Sequence, residues 1–394
     1  MSDTDVTFRP LGKYDWPTTP AVQGFDRIRA DLRKRLAGWV NTREDTPGID
    51  VARVDPIAPD ILDRIAEAPA NQPVLAELTA TLRPWLDEPK AAQVLQTVVL
   101  PPCDRENLLL RWSEQEGLDV FPTDKLASDL AELDDPSAMP LVIPRLEDRF
   151  LRTPEGLIAV RALIDQLAAM RRRTVVGCNS WAWQFLRKSC EIDLVLTDPM
   201  TFRAFNANRL RNWLGTLAFG STDGIEAPRT RFLSETSGRD VFGNGDGEAE
   251  LSSFMNDLAK RSLGIPWVAW NLWRASLEME KAKEGDDTDE PGDPVPDIDK
   301  MDTIWVSELH NFALPGRSDQ NALLVLHALL IHGGLTEPLI GRTVPLVSYT
   351  NVLASLLGAG LVDRAEDGAY RCVPAAYPAI RDGLKNNGYP VDVL

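Results

Sequence analysis

The 394-residue chain has only four cysteines, and Cys103, Cys178, Cys190 and Cys372 lie scattered with no CxxC pair among them. That spacing excludes a disulfide framework and a zinc site of the usual kind, and it points to a reducing compartment. Histidine is scarcer still. His310, His327 and His332 leave Cys178 without a local base, and His327 and His332 fall on or at the end of an apolar helical stretch. A Cys–His hydrolase therefore has little support. No apolar run approaches the roughly 18–20 residues that span a bilayer. The opening MSDTDVTFRP has no signal-peptide apolar region, so a cytoplasmic protein is expected. Basic charge is short as well: 42 Lys and Arg stand against 59 Asp and Glu, a net charge of −17. Such a surface repels phosphate backbones, so nucleic-acid binding would need a strong local basic patch.

What is present is ordinary globular composition, with 44% hydrophobic residues. At roughly 150 residues per domain the length allows two or three domains. Residues 1–24, with Pro10, Pro17 and Pro20, read as an extended arm. From Phe25 to Val40 (residues 25–40) the apolar Phe25, Ile28, Leu32, Leu36 and Trp39 follow helical spacing, while Arg27, Arg29, Arg33, Lys34 and Arg35 occupy the other faces. This basic amphipathic helix is expected to pack on the main domain with a solvated basic face. The sharper reading is a docking helix for an acidic partner, and it is the one element through which a membrane surface could be contacted.

Residues 41–93 read as helices and loops broken by prolines. From about 94, short apolar runs at 94–100, 119–121, 140–143, 174–178 and 192–196 alternate with helical stretches near 106–116, 124–132, 155–170 and 181–188. Alternation of this kind predicts a parallel sheet with helices on both faces. After about 200 the strands are expected to stop, and 205–215, 248–262 and 266–283 read as helices. The stretch 284–299 holds eight acidic residues, three prolines and no base, the composition of a solvated linker.

Three strand ends carry candidate chemistry. The segment 97–117 (TVVLPPCDRENLLLRWSEQEG) has the layout of a phosphate-loop unit, a strand, a polar turn and an apolar helix. A competent loop uses glycines to wrap phosphates, a Lys to neutralise charge and a Ser or Thr to hold Mg²⁺. Aligned by strand and helix, those places fall on Arg105, Glu106 and Asn107. Glu106 puts negative charge where a cation is needed, a change of several kcal/mol in the wrong direction at about 4 Å. At 141–143 a strand runs into Pro144, where an NTPase would place its metal-binding aspartate, followed by Glu147 and Asp148. The plainer reading makes that pair salt-bridge partners of Arg145, Arg149 or Arg152. At 174–178 a strand ends in Gly177, Cys178, Asn179 and Ser180. Asn179 or Ser180 caps the next helix, and a polar residue there would also sit near a γ-phosphate.

In this order, with FNANRLRNWL at 205–214 placed like a lid helix and SLGIPWVAWNLWRASL at 262–277 carrying Arg274, the chain resembles the AAA+ and STAND class of phosphate-loop ATPases, especially the origin-recognition and Cdc6-like branch. The resemblance covers about residues 90–394. It implies an α/β fold, the parallel sheet of a P-loop NTPase-like core with a helical lid, followed by a winged-helix domain. It also makes Arg105, Glu106, Asn107, Glu147, Asn179 and Arg274 the residual nucleotide-site positions. The expected organisation is an N-terminal arm and helical region (1–90), the core (91–200), the lid (201–283), an acidic linker (284–300) and the winged-helix-like domain (301–394).

The C-terminal pattern fits that expectation. An apolar helix at 319–332 stops at Gly333 and Gly334, helical stretches follow near 336–341 and 348–357, and a hairpin lies about Gly368. DNA-reading versions place Arg, Lys, Asn or Gln on the third helix. Here that helix has Asn351 and no base, which favours protein contact. The expected function is a degenerate, non-hydrolysing scaffold or assembly component, a pseudo-ATPase with protein partners, with homo-oligomerisation open and no cofactor or metal expected. The alternatives are an atypical ATP- or ADP-binding switch and a DNA-associated regulator.

Overall fold

Four of the five apolar runs become strands of one sheet, and for those at 95–100, 141–143 and 174–179 burial on both faces explains why apolar and polar residues do not alternate. The computed structural model describes residues 7–17, 54–69, 71–88, 93–123, 125, 127–219, 231–243, 252–280, 303–314 and 320–394. The chain divides into two compact units, one made of Met1–Asp15, Ala70–Ala204 and Asn311–Leu394, the other of Trp16–Pro69 and Phe205–His310. The basic helix expected over 25–40 and the acidic stretch 284–299 lie outside the described residues.

In the first unit the strands are β1 (Arg9–Pro10), β2 (Leu95–Leu100), β3 (Asp119–Val120), β4 (Leu141–Ile143), β5 (Thr174–Asn179) and β6 (Met200–Thr201). They stand in the order β1, β6, β2, β5, β4, β3. Neighbours from β6 to β3 are parallel, and β1 joins the edge antiparallel to β6. The chain is thus an α/β protein with a parallel sheet between helices. These include α1 (Gln72–Asp87), α2 (Leu108–Gln115), α3 (Pro154–Ala169) and α4 (Ser180–Cys190). Local chemistry starts two of them. The Thr153 side chain accepts from the Gly156 N–H ahead of Pro154, and Asn179 accepts from the Trp181 and Ala182 amides, both in the N-cap manner.

Several expectations need correction. Residues 192–196 are no strand: Ile192–Leu194 form a 3₁₀ turn after Glu191, whose φ of 50° breaks the extended path. The edge place in the sheet is taken by Met200–Thr201. Strands also do not stop at 200, because the second unit holds a four-stranded sheet ordered Val54–Pro56, Leu277–Glu280, Thr303–Val306, Arg231–Ser234. The stretch 266–283 therefore splits into a helix, Pro266–Arg274, and a strand. Its core is aromatic: Phe232, Phe242 and Trp273 meet with ring centroids 5.3–6.3 Å apart. The helix expected near 124–132 is a 3₁₀ turn, Ala127–Leu133.

The C-terminal segment of the first unit runs through helix α5 (Gln320–His332), a short strand Leu335–Thr336, helices Glu337–Thr343 and Val352–Gly358, and a hairpin of Val362–Arg364 with Ala369–Cys372. Helix α5 is apolar nearly all round and buried along most of its length, which marks it as the centre of this segment. The stretch read as one helix over 348–357 is instead a 3₁₀ turn, Pro345–Tyr349, and a helix starting at Val352.

Candidate functional site

Strand order locates the site. The connection leaving β2 travels by α2 to β3 at one edge, whereas the connection leaving β5 travels by α4 to β6 on the other side of β2. In open parallel sheets ligands bind outside the carboxyl ends of strands where the winding reverses in this way. Leu100 and Asn179, partners in register, mark those ends. A cavity lies there, lined by residues of the turn after β2 (Cys103, Asp104, Asn107), the turn after β4 (Pro144, Arg145, Glu147), the end of β5 and Gly333.

The turn after β2 is tightly wound. Cys103 and Asn107 hold φ values of 65° and 48°, left-handed conformations that cost non-glycine residues about 1 kcal/mol or more each. The winding turns the Asp104 carboxylate onto the start of α2. Its Oδ2 accepts from the Leu108 N–H at 2.7 Å and its Oδ1 from the Glu106 N–H at 3.2 Å. A helix N-terminus attracts anions because its first amides lack intrahelical partners. Here a resident carboxylate already takes that place. Burial raises the Asp104 carboxyl above its ordinary range, against the opposing pull of these amides and of Arg145.

The turn after β4 holds a second buried carboxylate. Glu147 sits on the 3₁₀ turn Leu146–Arg149 with its side chain 4% exposed. It accepts from the Asn179 N–H at 3.0 Å and pairs with Arg145 Nε at 3.4 Å. Burial raises its carboxyl, with Arg145 opposing. Arg145 also reaches Asp148 at 3.3 Å and the Asp104 carbonyl at 3.4 Å. Burial works against its charge, but the surrounding carboxylates outweigh that and hold its pKa above the usual value. Two glycines permit the packing. A Cβ on Gly177 would run into the Pro144 carbonyl and Leu109, and one on Gly333, whose φ is +67°, would strike the Arg145 guanidinium.

The candidate positions meet different fates. Arg105 pairs with Asp363 of the C-terminal hairpin and donates to the Cys372 carbonyl at 3.3 Å. Glu106 faces outward and pairs with Arg111. Asn107 stands at the N-cap place of α2 without a side-chain cap bond. Asn179 is consumed twice: its Oδ1 caps α4 and its Nδ2 donates to the Ile331 carbonyl at 2.9 Å. These four and Glu147 share the first unit. Arg274 belongs to the second, where it pairs with Asp63, donates to the Ala66 carbonyl and lies over Trp270. Sequence reasoning gave no site role to Asp104, Gly333 or Asp363. Of these Asp104 had a usable signal, an acidic residue just ahead of an apolar helical run.

The cavity has a volume of about 30 Å³, room for a water or two. Ligand pockets run to roughly 300–1,000 Å³. Asp104 takes the amides at the start of α2 and Arg145 part of the space beside them, and a second cavity of about 420 Å³ adjoins, lined by Cys103, Asp104, Arg105, Asn107, Arg145 and Asp148 among others. Burial pushes Cys103 up to about 12 and Cys178 and Cys372 well above the ordinary thiol value, which keeps them protonated. His332 and His327 are likewise held neutral, lowered to about 4 and about 3 by burial first and then by neighbouring charge. His332 Nε2 accepts from the Arg152 N–H at 3.2 Å.

No family model matches the chain, and no curated protein matches it. Among solved structures it is similar to Cdc6p from Pyrobaculum aerophilum, at 12% identity and a TM-score of 0.31 over 85% of this chain and 100% of that one. It is similar to the Aeropyrum pernix ORC2 protein in its ADPNP–ADP complexes, at 12% identity and 0.34 over 95% and 96%. A RuvB variant from Thermogota maritima gives 13% identity and 0.31 over 85% and 96%. At these scores the likenesses carry no argument, and the fold and the site stand on this chain's own residues. No helix among the described residues is long and apolar enough to cross a membrane.

Proposed function

We propose that the chain is an AAA+-like protein whose nucleotide crevice is closed by its own side chains, and that it acts as a non-hydrolysing scaffold or assembly component. One observation carries the reading: at the switch point of the sheet, the Asp104 carboxylate sits on the helix amides that a phosphate would use, in a cavity of about 30 Å³. Phosphoryl transfer depends on positioning and on cations set against the phosphates. Among the described residues Arg145 is the cation lining that cavity, and it is engaged by Glu147 and Asp148. The segment 201–283 is read as the lid counterpart and the part of 301–394 from Gln320 onward as a winged helix with a protein-contact role, since Thr303–Val306 belongs to the sheet of the second unit. Support for protein contact comes from helix Val352–Gly358, which exposes Ala354, Ser355 and Leu357 beside Asn351 and no base. Location in the cytoplasm is part of the same proposal.

The test is steady-state phosphate release from ATP by the purified chain, with Glu147→Gln and Arg105→Ala alongside. No turnover is expected. Turnover lost in both variants would replace the scaffold with an ATP-dependent switch. That second reading draws on a neighbouring cavity of about 420 Å³ lined by Arg105, Arg145 and Arg371, a volume within the ligand range.

A further inference from the structure

Residues 389–394 form no helix or strand, yet Asp392 and Leu394 are each 2% exposed while Val393 between them is 39% exposed. Alternation of that kind belongs to an extended peptide seated in a groove. The start of α4 forms one wall, where the Ser180 hydroxyl donates to Asp392 Oδ2 at 2.7 Å. The helix Tyr377–Asn386 forms a second. Its Tyr377 hydroxyl donates to Oδ2 at 2.7 Å, and its Arg381 donates from Nε to Oδ1 at 2.7 Å and from Nη2 to the Asp392 carbonyl at 3.3 Å. The arm carrying β1 forms the third. There the Gly12 and Tyr14 N–H groups donate to the Leu394 backbone oxygen at 3.0 and 3.3 Å, and Tyr14 packs edge-on against Phe202 with ring centroids 5.9 Å apart.

The Asp392 side chain is fully buried, and the Ser180, Tyr377 and Arg381 donors that meet it all lie outside the segment. Taking a carboxylate out of water is costly, and a buried ion pair adds little net stability over an apolar contact of the same size. What the arrangement supplies is discrimination. Only a carboxylate at that place answers a guanidinium and two hydroxyls at once, and most other residues would leave them unpaired. The groove therefore selects by sequence. The segment that fills it is held through its main chain at Tyr389, Asp392 and Leu394 rather than by a ladder. The chain enters it through Gly388, whose φ is +79° and where a Cβ would meet nothing within 4 Å. Such a segment belongs with the parts of a fold that open locally at less than the cost of global unfolding.

We propose that the groove between the start of α4, the helix Tyr377–Asn386 and the arm at Gly12–Tyr14 is a peptide-binding site, occupied in cis by residues 389–394, and that a partner polypeptide with an extended Asp-x-Leu segment takes it by displacing them. The inference adds a second place of contact to the scaffold reading and rests on that reading only for the existence of a partner. A chain that turned over ATP and still took the peptide would lose that reading and keep this one. The cis segment competes at an effective concentration of the order of millimolar, so the wild type takes a partner weakly and a variant without the Asp392 carboxylate takes it well.

The probe is a dye-labelled peptide of the sequence NGYPVDVL, residues 387–394, titrated against the full chain by fluorescence anisotropy at physiological salt. A control peptide carries Asn in place of its Asp. The Asp392→Ala chain is expected to bind the probe about tenfold or more tighter than wild type does, and to bind the Asn peptide about tenfold or more weaker than the probe. Adding Arg381→Leu should erase the preference for Asp over Asn, whereas Lys385→Ala, exposed on the same helix, should leave it. No binding to a folded Asp392→Ala chain, or equal affinity for the two peptides, overturns the proposal. Hydrogen exchange in the wild type gives a test that does not depend on that variant folding. The Gly12 and Tyr14 amides, covered by Leu394, are expected to exchange about tenfold or more faster than the amides of β2 and β5, and faster still in Asp392→Asn with those strands unchanged. Exchange as slow as in the strands, or no acceleration in Asp392→Asn, would mean that the segment does not leave its groove by local opening, which overturns it too.

Discussion

At the carboxyl end of the parallel sheet, Asp104, Glu147, Asp148 and Asp363 each meet a backbone amide or an arginine of their own unit. In the second unit, Glu235 and Glu278 each keep a buried oxygen with no hydrogen-bond partner among the described residues. The two regions contain the same chemical group, with Asp148 and Asp363 more exposed than Glu147 and Glu235, and they differ in how many of the groups have a partner, since Asp363 Oδ1 too is buried without one. Where a partner is present, the groups serve the fold, and a cavity of about 420 Å³ lined by Asp104, Arg105, Arg145 and Asp148 remains beside them.

The contrast is broken most forcefully by Arg145→Ala. That change leaves Glu147, 4% exposed on its side chain, without its cation. Removing one partner of a buried pair typically costs about 3–5 kcal/mol, and a loss near the lower end is expected in urea unfolding, partly restored by adding Glu147→Gln. A loss well under about 1 kcal/mol would mean that the carboxylate needs no partner. In the smaller unit the analogous neutralisation, Glu235→Gln, is expected to cost nothing, and that difference in sign is the sharpest form of the comparison.

The next effect is in pH. His332 is neutral when folded, with its pKa lowered to about 4 from 6.5. The unfolded chain takes up the proton first as pH falls, so stability is fully present above 6.5 and is lost progressively toward about 4. Buried Asp104 and Glu147, with raised carboxyls, act in the opposite direction. The measurable quantity is therefore the difference between wild type and His332→Gln. Between pH 6.5 and 5 wild type should lose about 2 kcal/mol more than the variant. Equal pH profiles would show that the imidazole is not held neutral.

Asp104→Ala comes third. It removes the acceptor from the first amides of α2, and about 1 kcal/mol is expected, the usual size of a lost cap. It also vacates an anion position, so sulfate should raise the melting temperature of the variant more than that of wild type. The smallest effect belongs to Glu106→Gln. The Glu106–Arg111 pair is about as exposed as it is buried, with side chains 40% and 37% accessible, and exposed pairs contribute roughly 0–1 kcal/mol. A change within about 0.5 kcal/mol is expected by chemical unfolding.

Much of the sheet was legible because each central strand is a short apolar run bounded by polar turns, as in 95–100 and 174–179. What was misread had local signals that tertiary pairing overrode. Leu277–Glu280 reads LEME, all good helix formers, and is a strand because it bonds to neighbours on both sides. Met200–Thr201 is too short to show a period, whereas IDLVL at 192–196 shows one and turns instead. Five of the six site positions could be proposed from strand ends and Arg274 from the lid-like segment, and the local partners, Arg145 for Glu147 and Asp148 and the Asn179 cap, were legible too, but the distant partners were not. Arg145 reaches Asp104 across 41 residues, Asn179 reaches Ile331 across 152, and Arg105 reaches Asp363 across 258. No local pattern encodes such pairings. The unpaired carboxylates of the second unit were invisible for the same reason, since their isolation is a fact about what surrounds them in space.

The central claim is that the crevice at the end of β2 and β5 is filled by the chain itself. The most direct measurement denatures the freshly purified protein, assays the supernatant for ATP and ADP, and titrates the native chain with Mg-ATP by calorimetry. A closed crevice gives no released nucleotide and no saturable heat. Release of about one nucleotide per chain, or saturable binding that Arg145→Ala abolishes while the variant stays folded, would contradict it.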